Sequence, residues 1–250
     1  MRLPPRGQRA CSAALALLLA LGAWALAAGC ERSRAPAPPP VPAPPAAGAQ
    51  PAAAPPFARP PPGDAAAAPV ILLLGDRRTA GFGLPSEEAF PAVIQERLRA
   101  AGSPWRVVNA GVSGDTSAGG LSRLDWLLKQ RVDVLLLALG ANDGLRGQHP
   151  AAIRANLARI IERAQARGIT VILAGMRMPA NYGADYARQF HAIFPELAER
   201  YRVAFIPFLL EGVAMQPELN QVDGIHPNAA GARTVADTVW RALKPLLERP

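Results

Sequence analysis

The segment VILLLGDRRTAG, residues 70–81, is the most informative part of the chain about its fold. Five apolar residues in a row end at a Gly-Asp pair, Gly75 and Asp76, and a polar segment follows directly. A short continuous apolar run bounded by turn residues is typical of a strand buried on both faces of a sheet. The stretch therefore predicts a central strand that stops at a sharp turn, with Arg77 as the first residue beyond the Gly-Asp pair.

Four further apolar runs follow along the chain. They are WRVVNAG (105–111), VDVLLLALG (132–140), ITVILAG (169–175) and VAFIPF (203–208). The segments between them carry apolar residues at helical spacing. One such stripe consists of Ile153, Leu157, Ile160 and Ile161. Strict alternation of strands and helices predicts an α/β fold, a three-layer αβα sandwich with a five-stranded parallel sheet. In such folds ligands bind beyond the carboxyl ends of the strands.

Three segments beyond the opening stretch are distinctive. They are NAGVSGDTSAGG (109–120), LGANDGLRG (139–147) and QVDGIHPNAAG (221–231). Together with LGDRRTAG (74–81) they resemble the four sequence blocks of the SGNH, or GDSL, hydrolases, in particular the bacterial thioesterase I, lysophospholipase L1 and arylesterase group. The likeness covers residues 70–250. It implies the flavodoxin-like SGNH-hydrolase fold and hydrolysis of carboxylic esters or thioesters by a Ser-His-Asp triad.

The resemblance implies a role for each matching position. Asp223 and His226 would be the acid and the base of the triad. Asn142 and the backbone N–H of Gly114 would donate to the oxyanion. On the residues alone other interpretations stay open. Asp223 and His226 would then cap the last helix, which is expected to open at Pro227. The Asn-Asp-Gly segment would be a plain turn, and Gly114 a position that needs a positive φ.

The resemblance also implies the walls of an acyl pocket in two segments. The residues concerned are Gly144, Leu145, Arg146, Pro179, Asn181 and Tyr182. The substrates it implies are small-molecule acyl esters, thioesters or lysophospholipids, and no cofactor is expected.

Several other polar residues at the strand ends have structural interpretations. Asp76, Asp115 and Asp143 are expected to bind backbone amides at strand ends and helix starts. His149 and His191 are expected at the surface or in packing. Two tryptophans at helical spacing are assigned to packing, Trp126 and Trp240.

The family's nucleophile is the serine that follows Gly-Asp, and in this chain Arg77 stands there. Its backbone N–H still qualifies as an oxyanion donor, but a guanidinium is always protonated and has no usable lone pair. We therefore expect strongly impaired hydrolysis. Among nearby hydroxyls, Ser113 is the better substitute nucleophile, because Thr79 lies past the turn. We also expect Arg77 to pair with Asp223 and draw it away from His226.

Three interpretations of the chain follow. It is an esterase in which Arg77 is a variant of the serine. Alternatively, it is a catalytically inactive protein that keeps the acyl cleft and uses Arg77 to hold a carboxylate or phosphate. The third is an envelope lipoprotein whose domain is a scaffold for another protein. The remaining blocks favour the first interpretation, whereas the chemistry of Arg77 favours the second.

Residues 1–29 have the pattern of an export signal. A basic start precedes an apolar stretch from Cys11 to Ala28. The Ala-Ala-Gly-Cys segment at 27–30 resembles a bacterial lipobox, in which Cys30 becomes lipidated. An ordinary cleaved signal or a membrane anchor is the alternative. We expect an exported lipoprotein on the periplasmic face of a bacterial membrane, held there by a lipid on Cys30.

Residues 30–69 are predicted to be a disordered, extended linker, and residues 70–250 the folded domain. Between Ala35 and Pro69 lie 14 of the 27 prolines. Proline fixes φ and removes a backbone donor, so this segment is unsuited to a packed helix or sheet.

Composition excludes several classes of function. Both cysteines, Cys11 and Cys30, precede the predicted domain, which excludes disulfides, a thiolate nucleophile and cysteine metal sites within it. The three histidines show no metal-ligand spacing, so no metal is expected. The formal net charge is +8, but it is spread along the chain rather than clustered. We therefore expect no nucleic-acid partner.

Overall fold

A computed structural model describes residues 68–248 of the chain. The predicted signal segment 1–29, Cys30 and nearly all of the linker lie outside these residues. The strands are β1 (Val70–Gly75), β2 (Arg106–Gly111), β3 (Val134–Ala138), β4 (Thr170–Ala174) and β5 (Ala204–Ile206). The helices are α1 (Arg77–Ala80), α2 (Phe90–Ala100), α3 (Ser117–Leu127), α4 (Ala141–Leu145), α5 (Pro150–Gln165), α6 (Ala184–Tyr201) and α7 (Ala229–Leu247). None of these helices is both long and apolar enough to cross a membrane.

The five strands form one parallel sheet in the order β2-β1-β3-β4-β5. The α/β prediction is therefore confirmed. Gly75, the last residue of β1, pairs with Gly111 of β2 and Ala138 of β3. Because these three strands end level with one another, the turns that follow them meet at one edge of the sheet, which we call the carboxyl edge.

Burial of the central strands shows that both faces of the sheet are covered. Every residue of β1 and β3 is buried. The helices pack in two groups, α2 with α7, and α5 with both α3 and α6. The predicted apolar stripe of α5 is fully buried. Each such Leu or Ile contributes about 1.5–3 kcal/mol through the apolar area that it removes from water.

Two expectations about helices need correction. Helix α7 begins at Ala229 rather than Pro227, because the side chain of Asn228 accepts the N–H groups of Ala230 and Gly231 and so caps the helix. Trp126 was assigned to packing, but it is 57% exposed. The buried face of α3 is formed by residues spaced three apart, such as Leu124 and Leu127. Trp126 lies outside this face and is therefore exposed to solvent. Trp240 does pack against the core, as predicted.

Candidate active site

Asp223 and His226 lie in the loop between β5 and α7 and are bound to each other. Oδ2 of Asp223 lies 2.6 Å from Nδ1 of His226. Oδ1 of Asp223 accepts the backbone N–H groups of Ile225 and His226, each at 3.0 Å. The imidazole is buried. Because Asn228 caps α7, the interpretation of this pair as a cap of the last helix is wrong.

The ionised form of Asp223 is strongly favoured. Burial works to raise the pKa of Asp223, but the hydrogen bonds from the His226 ring and from two backbone N–H groups outweigh it and lower the pKa to about 2. At neutral pH the carboxylate is charged and accepts a hydrogen bond from the Nδ1–H of the imidazole. Nε2 of His226 is then left with the lone pair that a general base needs.

Asn142 ties together the turns that follow three strands. Its Nδ2 donates to the backbone oxygen of Asp115 at 2.8 Å and to Oδ2 of Asp76 at 3.3 Å. Asp76 follows β1, Asp115 follows β2, and Asn142 follows β3 in the short helix α4. Because Ala141–Leu145 is helical, the interpretation of the Asn-Asp-Gly segment as a plain turn is wrong. Three of the four sequence blocks thus meet at one buried amide.

Gly114 combines a left-handed backbone with an available donor. Its φ is 78°, a region that favours glycine. No group within residues 68–248 accepts its N–H, and its carbonyl accepts from Arg146 at 3.1 Å. The two interpretations of Gly114 are therefore compatible, since the backbone needs glycine and the N–H remains free to bind an anionic oxygen.

Arg77 is the first residue of α1 and shares a ring neighbour with His226. Its Cζ lies 5.7 Å from the centroid of the Phe82 ring, and that centroid lies 5.1 Å from the centroid of the His226 ring. In the described part of the chain the Arg77 guanidinium has no ion-pair or hydrogen-bond partner. The expected pairing of Arg77 with Asp223 is wrong, because the Arg77 guanidinium lies over the Phe82 ring and Asp223 binds His226 and Ile225.

Arg78 has a different environment from its neighbour. Its Nη1 lies 2.6 Å from Oδ2 of Asp76, a carboxylate that is 1% exposed. Oδ1 of Asp76 accepts the backbone N–H of Arg78 and so caps α1. Arg78 therefore neutralises a buried charge at the turn that follows β1.

The other two aspartates of the carboxyl edge are structural, as predicted. Asp115 accepts the N–H of Thr116 at 3.0 Å and pairs with Arg123 at 2.7 Å. Asp143 accepts both the N–H and the hydroxyl of Ser117, at 2.8 and 2.5 Å. Asp115 holds the loop that carries Gly114 against α3, and Asp143 joins the start of α3 to α4.

His149 and His191 also have structural partners. Nδ1 of His149 accepts the N–H of Ala151 at 3.2 Å and caps α5. Nε2 of His191 accepts the N–H of Met178 at 3.0 Å. Burial, and then the charge of Arg177, lowers the pKa of His191 and so favours this neutral acceptor form. Among residues 68–248 no group of three His, Cys, Asp or Glu side chains is arranged to hold a metal ion.

The two nearby hydroxyls differ in exposure. Thr79 is fully buried, and a Cβ on Gly75 would stand 2.0 Å from its Oγ1. This hydroxyl therefore faces the end of β1 and not an open cleft. Ser113 is exposed in the loop before Gly114.

Sequence blocks and geometry of this kind occur in a known family. Residues 73–234 match the model of the GDSL-like Lipase/Acylhydrolase family. The chain belongs to this family. It is 43% identical over 183 residues to Esterase TesA of Pseudomonas aeruginosa, a match that covers 73% of this chain and 91% of that protein. It is 41% identical over 184 residues to Thioesterase 1/protease 1/lysophospholipase L1 of Escherichia coli K12, covering 73% and 87%.

Solved structures of esterases share the fold of this GDSL-like chain. The crystal structure of TesA matches with a TM-score of 0.68 and 42% identity, covering 71% of this chain and 99% of that one. The psychrotrophic esterase EstA from Pseudoalteromonas sp. matches with a TM-score of 0.69 and 34% identity, covering 72% and 99%. The family acts on small-molecule ester or thioester substrates.

The two segments implied as acyl-pocket walls of the GDSL-like domain contact each other. The hydroxyl of Tyr182 donates to the backbone oxygen of Leu145 at 3.2 Å, and the Leu145 side chain is exposed. Arg146 reaches across to the carbonyl of Gly114. Pro179 and Asn181 are exposed. Leu145, Arg146 and Tyr182 therefore lie together beside Gly114.

Gly144 supports this wall instead of forming its surface. It is buried in α4, and a Cβ there would stand 2.4 Å from Sδ of Met178 and 2.9 Å from the ring of Phe190. Helix α4 therefore needs glycine at this position to pack against the core.

Sequence reasoning missed Phe82 and Gln221. Phe82 contacts both Arg77 and His226. The side chain of Gln221 donates to the backbone oxygens of Phe82 and Pro227, at 2.7 and 3.0 Å. It thereby fastens the loop that carries His226 to the segment after α1. Gln221 is the first residue of the last of the four blocks. Its place in that block is the only feature of the sequence that could have pointed to a role for Gln221 in the site.

Proposed function

We propose that this chain is a carboxylic ester hydrolase of the arylesterase, acyl thioesterase or lysophospholipase type, in which Arg77 occupies the nucleophile position and strongly impairs turnover. The observation that carries the proposal is the 2.6 Å Asp223–His226 pair on the carboxyl edge that also holds Arg77. A base oriented by a carboxylate has the parts of an esterase site except the attacking atom, which Arg77 does not supply. Acyl esters, thioesters and lysophospholipids are the proposed substrates.

With serine at position 77, each step follows from the residues present. Nε2 of His226 takes the hydroxyl proton as the oxygen attacks the carbonyl carbon, and Asp223 stabilises the imidazolium. The backbone N–H groups of residue 77 and Gly114 bind the negative oxygen of the tetrahedral intermediate, and the Asn142 amide joins them by giving up its 3.3 Å contact with Asp76. His226 then gives its proton to the departing alcohol or thiol. Water hydrolyses the acyl-enzyme with His226 again as base, which releases the carboxylic acid.

Arg77 removes the first of these steps, because its guanidinium carries no lone pair for attack. Attack by water, assisted by His226 and the oxyanion donors, is what remains. A triad that lacks a member retains about 10³–10⁴-fold over the reaction in water, far below a working esterase. Burial excludes Thr79 as a replacement, and Ser113 is the alternative nucleophile.

Hydrolysis of p-nitrophenyl butyrate by the purified chain, by Arg77→Ser and by Arg159→Ser tests the proposal. Arg159 is an exposed arginine of α5 and provides the matched control. We expect Arg77→Ser to raise turnover by at least about 10²-fold, and Arg159→Ser to leave it unchanged. A native chain as active as Arg77→Ser would contradict the proposal and direct attention to Ser113 or water. Inactivity of Arg77→Ser would also contradict it and favour binding or scaffolding.

A catalytically inactive acyl- or anion-binding protein is the second candidate function. It is favoured by the guanidinium of Arg77, which has no partner within residues 68–248. The third candidate, an envelope scaffold, predicts co-purification with another protein and no response to small anions.

We also propose that the protein is an exported lipoprotein on the periplasmic face of a bacterial membrane. The lipobox-like segment that ends at Cys30 supports this location. Cys30→Ala should abolish labelling with a radioactive fatty acid and move the protein out of the membrane fraction. Labelling that persists in Cys30→Ala would refute the anchor.

A further inference from the structure

Arg77 is a cation at the carboxyl edge that has no carboxylate partner among residues 68–248. Three of the carboxylates at this edge are already paired with other side chains. The pairs are Asp76 with Arg78, Asp115 with Arg123, and Asp223 with His226. Arg77 is half-buried and lacks an ion pair with any residue in 68–248. A half-buried guanidinium without a counter-charge attracts an anion from solution.

The surface beside Arg77 is apolar. We call Phe82, Val222 and Ile225 the apolar rim. These side chains are 40%, 109% and 56% exposed, respectively. Gln221 binds the backbone oxygen of Phe82 at 2.7 Å, so the segment that carries Phe82 is joined to the loop that carries the other two. Arg77 lies over the Phe82 ring, so the guanidinium stands at the Phe82 end of the rim.

Among residues 68–248, seven large apolar side chains are exposed, and their distribution points to a ligand on this side of the sheet. Six of them, all except Trp126, lie in connections that leave the carboxyl ends of strands. An exposed apolar surface concentrated at one edge marks a binding site more often than chance exposure does.

We propose that Arg77 and the apolar rim bind an anionic single-chain amphiphile, with a carboxylate head group on the guanidinium and the alkyl chain on Phe82, Val222 and Ile225. A guanidinium pairs with a carboxylate through two parallel N–H bonds, and the face of Phe82 supports the cation. The inference rests on the proposed function, in which Arg77 occupies the nucleophile position of an ester hydrolase. The proposed ligand therefore belongs to the same chemical class as the carboxylic acid that ester hydrolysis releases.

Calorimetric titration of the purified full chain with sodium octanoate tests this inference. Sodium acetate and octyltrimethylammonium serve as comparison ligands, because one lacks the chain and the other reverses the charge. We expect octanoate to bind at least about tenfold more tightly than acetate, since the chain removes apolar area from water. We expect no binding of the cation. Equal binding of octanoate and octyltrimethylammonium would overturn the proposal.

Variants separate the head-group contact from the chain contact. Arg77→Gln should weaken octanoate binding at least about tenfold, because a charge-assisted contact is lost. Arg159→Gln, on the exposed face of α5, should bind as the native chain does. Val222→Ser should weaken octanoate binding and leave acetate binding unchanged. Octanoate binding that is unaffected by Arg77→Gln would refute the site. If Arg77→Gln does not fold, Arg77→Lys, which keeps the charge without the planar fork, must weaken binding instead.

These titrations are independent of catalysis. An Arg77→Ser variant without esterase activity contradicts the proposed hydrolase chemistry and leaves octanoate binding by the native chain as a separate result. An active Arg77→Ser variant alongside a native chain that fails to bind octanoate refutes only the amphiphile site.

Discussion

Nη1 of Arg78 lies 2.6 Å from Oδ2 of Asp76, and this carboxylate is almost completely buried. The same oxygen accepts from Asn142, so the ion pair is joined to the amide that links three strand ends. Two adjacent arginines therefore have different roles. Arg78 neutralises a charge inside the turn, whereas Arg77 stays without an anionic partner in the described part of the chain.

Replacing Arg78 should destabilise the fold. Arg78→Leu leaves the buried Asp76 carboxylate without its cation, so we expect the free energy of unfolding to fall by about 3–5 kcal/mol in urea titrations. The matched control is Arg97→Leu, which breaks the more exposed pair with Asp237 and should cost less than about 1 kcal/mol. Equal losses in the two variants would show that the burial of Asp76 is unimportant.

The Asp223–His226 pair should make stability depend on pH in the acid range. The pKa of Asp223 is lowered from 3.8 to about 2 in the folded protein, so the pair stabilises the fold above the ordinary pKa and loses this effect as pH falls through about 2. The Asp223 side chain is 39% exposed, and solvent screening therefore reduces the contribution to about 1 kcal/mol. The difference in unfolding free energy between the native chain and Asp223→Asn should be constant above about pH 5 and shrink towards about pH 2. The same difference in unfolding free energy above about pH 5 and near about pH 2 would contradict the lowered pKa of Asp223.

Gly111 should tolerate no side chain, because the end of β2 packs directly on α1. A Cβ there would stand 2.2 Å from the backbone nitrogen of Ala80 and 2.7 Å from the carbonyl carbon of Thr79. We expect Gly111→Ala to cost about 2–3 kcal/mol, measured by urea unfolding. Gly102→Ala is the control, since its φ of 64° is strained for alanine but nothing lies within 4 Å of the new Cβ. It should cost about 1 kcal/mol. A smaller loss in Gly111→Ala than in Gly102→Ala would refute the close contact.

Asn142 should matter for turnover once a nucleophile is present. In the Arg77→Ser background, Asn142→Ala should lower kcat by about 10²–10³ with little change in KM, because it removes a donor to the oxyanion. Asn156→Ala in the same background is the control. Its amide binds the Ser117 hydroxyl on the far side of Asp143, and kcat should change less than about threefold. Equal losses of kcat in the two variants would indicate a purely structural role for Asn142.

The strands and the main core helix were predictable from the sequence because their signals are local. The run at 70–75 is buried throughout, and the stripe that begins at Ile153 faces the core. Trp126 was not predictable in this way, since its exposure depends on which side of α3 meets the sheet. The partner of Arg77 was also predicted wrongly, because spacing along the chain does not reveal that the Arg77 guanidinium lies over the Phe82 ring.

The amino-acid order alone is enough to assign the fold class, the family and the arginine directly after the Gly-Asp turn. Apolar periodicity and the four blocks are carried by neighbouring residues, so they can be read without coordinates. Which charges pair follows only from the folded arrangement of the chain. Asp76 and Asn142 are 66 positions apart and Phe82 and Gln221 are 139 apart, and these contacts exist because parallel strands bring distant turns to one edge. The same geometry leaves Arg77 beside an apolar surface and without an anionic partner among the described residues.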